Sequence, residues 1–131
     1  MKKRIISLFL MLALLVTSAS ATARWSYMQT MFYGLSMEDG AIAWDANADS
    51  YPVSAVKSTG VKVSLQMQIG GGWSTLETLT DKQSGYLADA GGDYTDWKVD
   101  HTYRVKAYGY VYGDNDQLIE TVGPLYGYLN T

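Results

Sequence analysis

Residues 61–69 read Val61-Lys62-Val63-Ser64-Leu65-Gln66-Met67-Gln68-Ile69. Five apolar residues alternate with four polar ones without a break. Successive side chains of a β-strand point to opposite faces, so the pattern specifies a strand with one face buried and one wet. Gly70-Gly71-Gly72 then turns the chain into Trp73–Leu79, and the pair reads as a hairpin. A second run covers Tyr103–Tyr112. Tyr103, Val105, Ala107, Gly109 and Val111 fall on one side, with Arg104, Lys106, Tyr108, Tyr110 and Tyr112 on the other.

Working outward, weaker strands are expected over Trp25–Tyr33, Ala41–Ala46, Gly85–Ala90 and Leu118–Tyr128. Pro124 interrupts the last of these, which suits an edge strand or a bulge because proline cannot donate to a ladder. Glu38-Asp39-Gly40, Gly91-Gly92-Asp93 and Gly113-Asp114-Asn115-Asp116 are turn signals. The longest loop is expected over Asn47–Gly60, with Pro52 inside it. Six or seven short strands, each with one apolar face, predict two antiparallel sheets packed as a β-sandwich.

The N-terminus has its own logic. Lys2, Lys3 and Arg4 precede an apolar run from Ile5 to Val16, and small residues lead to Ala21-Thr22-Ala23. That order of charge, hydrophobic stretch and A-x-A site is a secretory signal peptide over residues 1–23, cut before Arg24; a cut after Ala21 is the alternative. The run is too short for a spanning helix, which needs about 20 apolar residues, so no stable membrane anchor is expected after cleavage. Residues 24–131 would form one domain carrying seven basic and thirteen acidic side chains, a formal charge of −6. Such a balance disfavours nucleic acid and anionic membranes as partners. With no cysteine in the chain, a disulfide framework and thiol chemistry are excluded.

The segment Trp97-Lys98-Val99-Asp100-His101-Thr102-Tyr103-Arg104-Val105-Lys106-Ala107 resembles the E–F corner of fibronectin type III domains. An apolar residue there precedes by six positions the tyrosine that opens strand F. The resemblance implies a tyrosine corner, with the Tyr103 hydroxyl bonded to upstream backbone. It also implies that Trp44 is the buried tryptophan of such sandwiches. The fold class is therefore all-β: an antiparallel immunoglobulin-like, fibronectin type III-like β-sandwich of about seven strands. The mature chain is also similar to small secreted single-domain proteins of Gram-positive bacteria. The likeness rests on Arg24-Trp25-Ser26-Tyr27, on the Leu-Gln strand running into Gly71-Gly72-Trp73-Ser74, and on Tyr103-Arg104-Val105-Lys106. That group has no assigned function, so the likeness implies fold and export and carries no site.

Catalytic groups are sparse. His101 is the single histidine, expected in a turn before Tyr103, and no Gly-x-Ser-x-Gly elbow accompanies it. One histidine without cysteine leaves too few ligands for a zinc hydrolase, so no enzyme and no cofactor are expected. Acidic residues concentrate in turns, and nothing pairs two of them across a cleft. Asp45-Ala46-Asn47-Ala48-Asp49 has a D-x-N-x-D opening. It departs from an EF-hand at Ser50, where glycine belongs, and at Val56, where glutamate belongs. Asp93, Asp96 and Asp100 form a second acidic cluster near the E–F corner.

Tyrosine is the informative residue. If Tyr103, Val105 and Ala107 point inward, Tyr108, Tyr110 and Tyr112 point outward, beside Arg104 and Lys106. In the fibronectin-like order strand F pairs with strand C, whose outward residues are Lys62, Ser64, Gln66 and Gln68. Tyr126 and Tyr128 could extend the same face. A tyrosine, glutamine and lysine surface suits an extracellular protein, a glycan or self-association. The plainer reading is that these tyrosines support the sheet through cross-strand pairs. A binding module is the expectation; a secreted effector or antimicrobial and a small carbohydrate-active enzyme are the alternatives.

Overall fold

The computed structural model describes residues 25–131, and the signal peptide expected over 1–23 lies outside them. Seven strands follow in order: β1 (Met28–Glu38), β2 (Ala41–Ser50), β3 (Ser58–Ile69), β4 (Gly72–Ser84), β5 (Leu87–Tyr94), β6 (Thr102–Tyr112) and β7 (Leu118–Asn130). They form a three-stranded sheet in the order β1-β2-β5 and a four-stranded sheet in the order β4-β3-β6-β7, every pair antiparallel. This is an immunoglobulin-like, fibronectin type III-like sandwich. A single turn of 3-10 helix, Asp114–Asp116, links β6 to β7.

The alternation of Val61–Ile69 is what closes the sandwich. Val61, Val63 and Leu65 are buried against Val105, Ala107 and Val111 of β6, while Ile42, Trp44, Ala46 and Ala48 of β2 cover them from the other sheet. Each apolar face is wet alone; stacking removes both from water at about 25 cal/mol per Å2. Trp44 is buried, as the resemblance implied, and so is Tyr103. The Lys98 N–H donates to the Tyr103 hydroxyl at 2.8 Å, making the tyrosine corner. Trp97 Nε1–H donates to the Gly40 carbonyl at 2.9 Å and pins the β5–β6 connection to the β1–β2 turn.

Four sequence expectations require correction. β1 runs from Met28 to Glu38 rather than over Trp25–Tyr33, so Glu38 is strand and the turn is Asp39-Gly40, both with positive φ. β2 runs to Ser50, which shortens the long loop to Tyr51–Lys57. Asp45, Asn47 and Asp49 therefore lie on alternate positions of an extended strand, where the D-x-N-x-D spacing separates carboxylates instead of gathering them. Gly91-Gly92-Asp93 is not a turn but the end half of β5. A Cβ on Gly91 would lie 2.3 Å from Cβ of Asp45 and 2.5 Å from the Trp44 carbonyl oxygen, so only glycine lets β5 approach β2 there. Pro124 does lie on an edge strand at a register shift, opposite Ala107–Gly109.

Candidate functional site

Register places the outward side chains of the four-stranded sheet. β3 contributes Lys62, Ser64, Gln66 and Gln68. Opposite them β6 contributes Tyr108, Lys106 and Arg104, and β4 contributes Thr80, Thr78, Thr75 and Trp73. Tyr128 lies beside Arg104 and Tyr126 beside Lys106 on β7. The nine residues proposed from sequence thus share one face, extended by Tyr126 and Tyr128. Trp73, Thr75, Thr78 and Lys82 complete it. The alternation of β4 is too weak in sequence to orient these four, because Thr and Ser populate both of its faces.

The face is ordered by its own contacts. Arg104 lies with Cζ 4.1 Å from the Trp73 ring centre and 4.5 Å from that of Tyr126. Its Nε donates to Gln66 Oε1 at 2.7 Å, and Gln66 Nε2 donates to Thr75 Oγ1 at 2.9 Å. The guanidinium is therefore fixed between two rings and an amide, a geometry that a lysine could not reproduce. Trp73 packs on Tyr128 at 5.9 Å, tilted by 56°, and Tyr126 stacks with Tyr128 at 6.5 Å. Ser64 shares a 2.8 Å hydrogen bond with Thr78. Ser64 and Gln66 point outward as expected, yet both are only 8% exposed, because these neighbours close over them.

Toward the other end, Tyr108 and Tyr110 stack at 6.4 Å with an interplanar angle of 19°, and Lys106 Nζ stands 5.7 Å from the Tyr108 ring centre. Lys82 Nζ sits 3.9 Å above Tyr112 and 2.5 Å from Asp116 of the helical turn. Burial, then the neighbouring Tyr112 and Tyr108 phenols, holds the Tyr110 hydroxyl above its ordinary range, so it remains a neutral donor. Gly60 leaves a gap in the row of side chains. Over it lies a hollow of about 340 Å3 lined by Lys62, Thr80, Lys82, Tyr110 and Tyr112.

Carboxylates are placed elsewhere. The strand registers put Asp45 and Asp49 of β2, and Asp89 and Asp93 of β5, on the outer face of the smaller sheet. Among the described residues no group of three or more His, Cys, Asp or Glu side chains is placed to hold a metal. The cluster Asp93, Asp96, Asp100 is not brought together as such a site. His101 lies in the turn before β6, its Nδ1 2.7 Å from the Val99 carbonyl oxygen. No helix among the described residues is long and apolar enough to cross a membrane.

No family model matches the chain, and no curated protein matches it. Solved structures do. A β-glucuronidase of Bacteroides uniformis is similar over 78% of this chain and 13% of its own, at 9% identity and a TM-score of 0.49. The collagen binding domain of the Erysipelothrix rhusiopathiae surface protein RspB is similar over 82% of this chain and 46% of its own, at 13% identity and 0.40. OgpA of Akkermansia muciniphila is similar over 77% and 27%, at 8% identity and 0.37. The chain spans less than half the length of each.

Proposed function

We propose that this chain is an exported, non-enzymatic binding module of the small Gram-positive type, engaging an extracellular polymer on the outer face of its four-stranded sheet. The observation that carries the reading is a layer of rings and cations already locked in place: Trp73, Arg104 and Tyr126 at one end, Tyr108 and Tyr110 at the other. Side chains held before the ligand arrives lose little rotamer freedom on binding, which costs roughly 0.5–1.5 kcal/mol for each one otherwise immobilised. Flat aromatic rings with hydroxyls accept sugar rings or protein side chains equally well. The placement of His101 away from the hollow over Gly60, with its Nδ1 on a backbone carbonyl, supports the non-catalytic part of the reading.

The test is titration of purified protein on a glycan array and on whole-cell surfaces, followed by tryptophan fluorescence. Tyr108→Ser, Tyr110→Ser and Tyr112→Ser together are expected to remove saturable binding; retention of every interaction would show that the face is not the site. Export is tested separately by mass spectrometry of protein recovered from culture medium, whose first residue is expected to be Arg24.

A further inference from the structure

We propose that the hollow over Gly60 is a subsite for an anionic group, and that the ligand is an acidic glycan bearing carboxylate or sulfate groups on its sugar rings. This rests on the reading of the outer face as the binding surface and specifies what it takes. The floor exists because β3 lacks a side chain at Gly60. A Cβ there would stand 3.3 Å from Cε2 of Tyr112 and 3.5 Å from the Asp81 carbonyl oxygen. Tyr110 and Tyr112 form one wall, Thr80 and Lys82 the other, and Lys62 closes the end toward the middle of the sheet.

The charge of this hollow is one-sided. Two ammonium groups border it, and the one carboxyl-bearing residue in its lining, Asp81, turns its acid away. That carboxylate accepts the Asp89 N–H at 3.0 Å and the Gln83 amide at 2.7 Å. Among the described residues Lys62 has no carboxylate partner. Lys82 has one, Asp116, whose carboxylate reaches in from the exposed 3-10 turn to the rim. Asp116 thus occupies, on Lys82, the place an incoming anion would take. Along β6 the face continues with Tyr108, Lys106 and Arg104, about 27 Å from Tyr112 to Arg104 at the rise of an extended strand. Across the strands a cation stands beside a ring at successive steps of that length, Lys62 by Tyr108, Lys106 by Tyr126 and Arg104 by Tyr128, matching a chain in which sugar rings repeat and some carry a negative charge. A neutral glycan would use the rings and leave Lys62 idle. The chain is acidic as a whole, so its distant field opposes densely charged nucleic acid while this local surface still attracts a sparser polyanion.

The experiment is calorimetric titration of the purified protein with polygalacturonate, heparin and unsubstituted dextran, in 20 mM and in 200 mM salt. One acidic glycan is expected to bind, weakening as salt rises, and which of the two binds names the anion. Lys62→Gln is expected to weaken it about fivefold, the equivalent of about 1 kcal/mol. Gly60→Val, which fills the hollow without changing charge, should weaken it comparably, and Asp116→Asn should tighten it by freeing Lys82. Equal binding of dextran, with no response to Lys62→Gln or Gly60→Val, would overturn the acidic-sugar proposal and leave the binding face standing. So would binding only to a cell-surface protein, or tighter binding of single-stranded DNA than of either acidic glycan. Trp73→Ala with Tyr128→Ser alters the far end and leaves the hollow intact. If that pair changes nothing while Lys62→Gln does, the extended face fails and the hollow alone remains.

Discussion

Tyr103 is buried, its ring tilted at 6.3 Å against Tyr94, and its hydroxyl takes the Lys98 N–H. Ring and hydroxyl make separable contributions. The ring fills the core where β6 begins; the hydroxyl fixes the turn that delivers the chain from one sheet to the other. Tyr103→Phe keeps the first and deletes the second. The net value of a neutral hydrogen bond is about 1 kcal/mol, and the Lys98 amide is left partly buried without its acceptor. Urea denaturation of the variant is expected to show a lower midpoint with an unchanged slope, a loss of about 1 kcal/mol. An unchanged midpoint would mean that the corner is a consequence of the fold and does not stabilise it. This corner was legible beforehand because its signal is local: Trp97 and Tyr103 stand six residues apart, followed by an alternating run. The Arg104 clamp was not legible, since its ring partners Trp73 of β4 and Tyr126 of β7 stand 31 (104 − 73) and 22 (126 − 104) residues away along the chain.

At the scale of the element, β1 shows how one sheet is fastened to the other. Its inward residues enter places where β6 and β7 carry glycine. A Cβ on Gly109 would lie 2.6 Å from Sδ of Met31, and one on Gly127 would lie 2.2 Å from Cε1 of Tyr33. The start of the strand is held by Glu120 of β7. Its Oε1 accepts the Tyr27 and Met28 N–H groups at 2.8 and 2.7 Å, and its Oε2 accepts that of Ser26 at 2.7 Å. A carboxylate accepting backbone N–H groups is a strong, charge-assisted arrangement. Glu120→Ala is expected to cost about 2 kcal/mol, given about 1.5–3 kcal/mol for hydrogen bonds to charged groups and partial replacement by water. Hydrogen exchange gives the sharper check: protection should fall at Tyr27 and Met28 before it falls in β3. A uniform loss across all strands would refute a clamp specific to β1. The limits of sequence reading also lie at this scale. β3 alternates large apolar with polar residues, and β6 opens Tyr103-Arg104-Val105-Lys106, so their faces could be assigned from the start. In β2 the inward residues after Trp44 are Ala46 and Ala48, interleaved with Asp45, Asn47 and Asp49. The period of two is intact, but small apolar residues among turn formers look like loop. Within β5 Gly91 answers a crowding by Asp45 and Trp44 that no local pattern records.

For the whole molecule the decisive feature is how charge is divided between the two outer faces. Lys62, Lys82, Arg104 and Lys106 lie on the four-stranded sheet, and Asp45, Asp49, Asp89 and Asp93 on the three-stranded one. Sheets stack about 10 Å apart, so a chain of net charge −6 over residues 24–131 keeps one positive, ring-covered side. The acidic side bears the cost. Asp49 lies between Thr30 and Leu87 on the neighbouring strands, and burial holds its carboxyl above the ordinary carboxylate range. The folded chain therefore keeps that proton more tightly than the unfolded one. Stability must fall as pH rises from the ordinary carboxylate value through the raised one, and the penalty is complete at neutral pH. Asp49→Asn is accordingly expected to raise the melting temperature at pH 7 and to change it little at pH 3. Thermal melts of both proteins at the two pH values check this. If Asp49→Asn lowers the melting temperature at pH 7, the carboxylate holds the sheet together through a favourable contact. The separation of charge would then stabilise the fold instead of being maintained against it for the sake of the opposite face.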